Sequence, residues 1–174
     1  MHCALPGLVC HMSLDSIANG ALRADRACVW NYEPSSRNRD EIEQLIASLA
    51  SARVADEFNV DFAADVIWGN PGGGVVHGFE TLHAIHERIF AGPMKDRRSR
   101  FVLVSLAFHG DDVAVAHVRR EPLDAEGRTI DTTASPDPAD FQEMAMYVLV
   151  KRAKQWWLAA GQNTPVRPSP IRIV

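Results

Sequence analysis

Three histidines crowd one short run, His77, His83 and His86 in "HGFETLHAIHERIF", and His117 follows in "DVAVAHVRR". Imidazole titrates near neutrality and can carry a proton, ligate a metal or simply be buried, so these are the first candidates for chemistry. His83 and His86 at i, i+3 could share an ion, with Glu87 four residues from His83 and His117 as the one obvious third ligand. No H-E-x-x-H or H-x-H pattern accompanies them, and core histidines satisfied by hydrogen bonds outnumber such ligands, so no metal is expected. The proton-carrier reading needs a histidine that faces a cavity. On a helical wheel Leu82, Ile85, Ile89 and Phe90 form one apolar stripe, with His86 inside it and His83 at its edge. By alternation His117 shares a strand face with Val113, Val115 and Arg119. That face is a solvent edge or a pocket wall with polar groups at one end.

Several elements must position these residues. "DEIEQLIASLASA" (40–52) sets Ile42, Leu45, Ile46 and Leu49 on one helical face, with acidic residues in its first turn. A second helical piece is expected over 54–63, with Phe58 and Phe62 four apart. "DVIWG" and "GVVHG" read as short strands around the turn "NPGGG", and the histidine run then forms a helix over 80–91. Strands follow at 100–108 and 112–120, joined by a tight hairpin. The polar stretch 121–140, with three prolines and a glycine, reads as a flexible excursion. "QEMAMYVLVKR" and "QWWLAAGQNT" form a second hairpin that turns near Ala153 and Lys154. Helices first and neighbouring strands after make an α+β plan. Residues 1–38 are an N-terminal extension, 39–167 the domain and 168–174 a tail.

Composition bounds the function classes. The 174 residues fit one domain, with 47% hydrophobic and 23% charged residues. Lys and Arg total 18 against 22 Asp and Glu, a formal charge of −4, which argues against a nucleic-acid partner; "KDRRSR" (95–100) is a short solvated run. Cys3, Cys10 and Cys28 all fall in the first 28 residues without a C-x-x-C pair; a disulfide framework is not expected and a reducing cytoplasm is. His2, Cys3, Cys10 and His11 match no usual zinc spacing. "ALPGLVC" is too short and interrupted for a signal peptide, and no window suits a membrane helix. No nicotinamide or flavin signature occurs, so no cofactor is expected.

The run "GFETLHAIHERIF", with "DVAVAHVR", "VLVKR…W" and the closing "AAGQNTPV", resembles the SgcJ/EcaC group of the nuclear-transport-factor-like superfamily, which also holds the ketosteroid-isomerase and SnoaL-type cyclase folds. The likeness spans about Asp40 to Arg167. Two features depart from the pattern: Arg53-Val54 replaces the usual Gly-Asp break, and the 121–140 excursion is long. The resemblance implies a cone-shaped α+β barrel, a strongly curved antiparallel sheet wrapped around about three helices and enclosing a pocket. It also implies a homodimer and, in some members, proton-transfer chemistry on polyketides or steroids. The expected site is His86 and His117 as catalytic groups, with Trp68, Phe90, Tyr147 and Asn163 binding a small apolar molecule. Asn163 is the expected hydrogen-bond partner of His86, and His117 the next. The isomerase dyad of an aspartate base and an oxyanion donor is not evident, because Asp65 reads as a surface carboxylate. A ligand-binding or accessory dimer without catalysis is the alternative. Trp156 and Trp157 are adjacent on a strand and must face opposite sides; the resemblance implies that Trp156 is the inner one, with Leu158, which leaves Trp157 on the outer face at an expected interface.

Overall fold

A computed structural model describes residues 27–132 and 140–166. The first helix, α1 (Ser36–Ser51), buries the expected stripe of Ile42, Leu45, Ile46 and Leu49. It begins at Ser36 rather than Asp40 because the Ser35 hydroxyl caps it, accepting from the Asn38 amide at 3.2 Å. Asn38 is itself buried: its side chain donates to the Asp111 carbonyl at 3.3 Å and accepts from Lys151 Nζ at 2.7 Å. The end of the stretch read as an extension is therefore the first turn of a core helix. The second helix is shorter than its sequence pattern suggests. Only α2 (Ala55–Phe58) is helical, and Phe62 already opens β1 (Phe62–Gly69). The four-residue spacing of Phe58 and Phe62 survives as a ring contact, with centroids 5.8 Å apart.

Strand β2 (Val75–His77) returns antiparallel on β1 through the Gly-rich turn, and α3 (Phe79–Ala91) follows. Gly78 sits between them at φ 83°, a conformation that only glycine adopts without strain, and its amide donates to the Val66 carbonyl at 2.8 Å. That residue sets the angle at which the histidine helix leaves the sheet. Strands β3 (Arg98–Phe108) and β4 (Val113–Leu123) form one hairpin, β5 (Glu143–Arg152) and β6 (Gln155–Pro165) the other. The second turns at Ala153 and Lys154, both at positive φ, as a two-residue hairpin loop of matching twist requires.

The six strands make one curved sheet in the order β2-β1-β6-β5-β4-β3. It is mixed rather than wholly antiparallel, since β1 runs parallel to β6. A strand pairing with one that arrives some ninety residues later leaves no local turn to announce its direction. The sheet stays open, with β2 and β3 at its edges. Its inner face joins α1 and α3 in a single apolar cluster that includes Phe62, Val66, Trp68, Phe108, Tyr147, Leu149, Trp156 and Leu158. In the stretch read as an excursion, β4 continues to Leu123 and a tight turn follows, with Arg128 bonded back to Asp124. Residues 133–139 of that stretch, with 1–26 and 167–174, lie outside the described residues.

Candidate functional site

His86 is buried on the inner side of α3, 8% exposed, as the wheel places it. Its ring meets Phe58, Phe62 and Trp68 edge-on, with centroids 5.1, 6.0 and 6.2 Å away. Edge-to-face packing of this kind encloses the imidazole in an apolar box. Its hydrogen-bond partner is neither Asn163 nor His117. The His86 Nδ1–H donates instead to Asn59 Oδ1 at 2.6 Å. Asn59, 1% exposed, closes α2, and its Nδ2 donates to His83 Nδ1 at 3.0 Å. His83 stacks on Phe79 and points Nε2 outward to Asp56 at 3.2 Å and Glu87 at 3.9 Å. A chain of carboxylate, imidazole, carboxamide and imidazole thus runs from solvent to the core. Burial, and then the neighbouring His83, push the His86 pKa down to about 4, so at neutral pH it is an uncharged imidazole.

Asn59 had no sequence signal. An asparagine after a short helical pattern reads as a helix end, and only the approach of α2 to α3 gives its side chain two histidines. The other expected site residues divide between the two faces of the sheet. Trp68 and Tyr147 are buried on the inner face, their rings 5.6 Å apart, and Trp68 also stacks on Phe62 at 5.3 Å. Burial, with Glu143 nearby, holds the Tyr147 hydroxyl protonated well above its ordinary range. Phe90 is half-buried and meets Phe58, which also meets Phe101, so three rings line the gap between α2, α3 and β3. Asn163 pairs with Ala145 on the inner face, and its buried Oδ1 has no hydrogen-bond partner. His117 faces the other way. Ala114, Ala116 and Val118 take the inner positions of β4, and His117 bonds to Ser105 on the outer face at 2.9 Å. It therefore does not converge with His86. His77 is exposed on β2. Asp65 is an exposed residue within β1. Among the described residues no group of three or more histidines, cysteines or carboxylates is placed to hold a metal.

A polar pair missed in the sequence lies on the same inner face. Arg120 and Glu143 are cross-strand neighbours joined at 2.5 Å, both largely buried, with the guanidinium also bonded to Ser99 and the Phe141 carbonyl. Concavities lie elsewhere on the open sheet and its helices. One of about 900 Å³ is lined by Asp56, Asn59, Phe79, Val150, Arg152 and Trp157, and one of about 350 Å³ by Glu41, Ser48, Asp61, Lys154 and Trp156. Neither is lined by His86, Trp68 or Tyr147, because aromatic rings fill the space beside them.

No protein-family profile matches the chain, and no curated protein matches it. Solved structures do. An uncharacterized protein with a cystatin-like fold from Caulobacter vibrioides aligns over 76% of this chain and 92% of its own at 21% identity, with a TM-score of 0.61. An NTF-2 like protein of unknown function from Shewanella oneidensis aligns over 72% and 98% at 11% identity, with a TM-score of 0.58. The fold is NTF2-like. Aln2 from a Streptomyces species is similar too, at 17% identity over 76% of this chain and 93% of its own, with a TM-score of 0.56. Identities this low carry the fold and nothing further. Among the described residues no helix is long and apolar enough to cross a membrane.

Proposed function

We propose that this NTF2-like chain is a cytoplasmic small-molecule-binding protein of the SgcJ/EcaC and SnoaL-like kind, in which His86 contacts an apolar ligand. One observation carries the reading. A neutral imidazole is anchored through Nδ1, and its Nε2 has no hydrogen-bond partner among the described residues inside an aromatic box. Apolar walls with a few placed polar groups are the usual make-up of ligand sites. The unpartnered Asn163 Oδ1 is a second acceptor on the inner face. The ligand enters where Phe58, Phe90 and Phe101 are half-buried, by turning rings rather than by filling a standing void.

The pKa separates binding from acid–base chemistry. A base whose conjugate acid dissociates at about 4 is deprotonated at pH 7 but gains little from taking a proton. His86 therefore works as a hydrogen-bond acceptor, and turnover of the isomerase or cyclase class requires an acidic substrate proton. Native mass spectrometry of freshly purified protein tests this. A retained small molecule present in the wild type and lost in His86→Leu is expected. Equal retention in both proteins would sink it.

A second reading, a homodimer that acts as an accessory module, has its own support. The outer sheet face carries Trp157, Val150 and Ala159, with Met146, Val104 and Ile67 more than two-fifths exposed. An apolar face of that extent fits a second copy of the chain. The two readings are compatible, since binding uses the inner face and assembly the outer.

A further inference from the structure

Resting on the reading of His86 as a ligand contact, we infer that Asn59 is a positioning residue that fixes the tautomers of His83 and His86, so that the site selects ligands bearing a hydrogen-bond donor. A carboxamide has one accepting end and one donating end, and here each end meets the Nδ1 of a different histidine. The accepting Oδ1 lies 2.6 Å from His86 Nδ1, which must then carry the proton. The donating Nδ2 lies 3.0 Å from His83 Nδ1, which must then be the bare lone pair. A neutral imidazole has one N–H, so the His83 proton sits on Nε2, where Asp56 Oδ1 waits 3.2 Å away to accept it. Three contacts agree on one assignment.

Turning the amide round breaks all three. The NH₂ would face His86 and move its proton to Nε2, where no acceptor stands among the described residues. His83 would then hold its proton on Nδ1 and turn a lone pair on Nε2 toward the Asp56 carboxylate. Asn59 is itself held in place: its amide donates to the Ala55 carbonyl at 2.9 Å and its carbonyl accepts from Phe62 at 2.9 Å. With the carboxamide fixed, His86 offers its surroundings an acceptor and never a donor. An alcohol, phenol or N–H satisfies that atom, whereas an ether or ketone sets two acceptors against each other. A polar atom that gives up water to a ligand and gains no partner in exchange discriminates more strongly than size does.

The test is a long-range ¹H–¹⁵N correlation spectrum of the full chain with labelled imidazoles at neutral pH. His86 is expected as the Nδ1–H form and His83 as the Nε2–H form; His86 as Nε2–H overturns the inference. Asn59→Asp replaces the donor end with a second acceptor, so His83 should gain a proton on Nδ1 while His86 keeps its own there. Unchanged His83 in that variant counts against Asn59 as the cause, and Asn59→Asp nearly preserves volume should Asn59→Leu fail to fold. In Asn59→Leu, both histidines should become tautomer mixtures. Phenol and anisole then probe the site directly. Phenol should shift the His86 Nε2 resonance, and anisole should bind about tenfold more weakly. Equal binding overturns the selectivity. No shift with either probe, in a protein with the expected tautomers, overturns the reading of His86 as a ligand contact and leaves the Asn59 assignment standing.

Discussion

His86 is held neutral by burial and by the neighbouring His83, which lower its pKa from 6.5 to about 4. Between those values the unfolded chain binds a proton that the folded chain refuses, so stability falls as pH drops through that window and levels off below it. The full effect is on the order of 3 kcal/mol. Chemical denaturation of wild type and His86→Leu at pH 7 and pH 4.5 should show the wild type losing more stability than the variant; equal losses would refute the assignment. At neutral pH, His86→Leu should stay folded because volume is roughly kept, while His86→Ala should cost roughly 2–4 kcal/mol through the cavity and the stranded Asn59 carbonyl. The position and burial of His86 were legible from the wheel. Its partner was not, because Asn59 lies 27 residues away at the end of another helix and only packing brings the two together.

At the scale of elements, β6 and the turn that leads into it carry two features that the sequence states unevenly. The hairpin turn at Ala153 and Lys154 was readable from spacing, yet neither residue is the glycine or asparagine that positive φ favours. Lys154→Gly should therefore raise stability by about 0.5–1 kcal/mol, read as a shift in the urea midpoint. Gly161 works differently. A Cβ there would stand 2.4 Å from the Trp68 ring, so its lack of a side chain lets Trp68 lie flat across β6 beside Tyr147. Gly161→Ala should push Trp68 off Phe62 and cost roughly 1–3 kcal/mol, with loss of the near-ultraviolet circular dichroism of the stacked rings. An unchanged spectrum would show that the ring is not held there. The glycine is visible in the sequence, but the ring over it belongs to a strand that pairs only in the folded sheet.

For the whole molecule, the described residues crowd the inner face and leave apolar side chains exposed on the outer one. Trp156 is buried inside, with Lys151 Nζ 5.4 Å from its ring centre and Phe108 against its edge, while its neighbour Trp157 stands half-buried on the outside. Alternation alone assigns the two tryptophans to opposite faces. If the outer face is where two copies meet, Trp157→Glu should convert a dimer into a folded monomer at micromolar concentration, while Trp156→Glu should fail to fold. Sedimentation velocity decides it, and a wild-type monomer under those conditions would refute the dimer.

Periodicity was enough to locate α1, α3 and the four long strands, because a buried stripe or an alternating face is written in neighbouring residues. It also placed His86 inside. What depended on tertiary structure was every relation between distant segments. The parallel β1–β6 pair, the placement of His117 on the outer face away from His86, and the Asn59 bridge between two histidines each join residues whose separation leaves no local mark. Local pattern records which way a side chain faces. Which side chain it meets there is decided by how the segments pack.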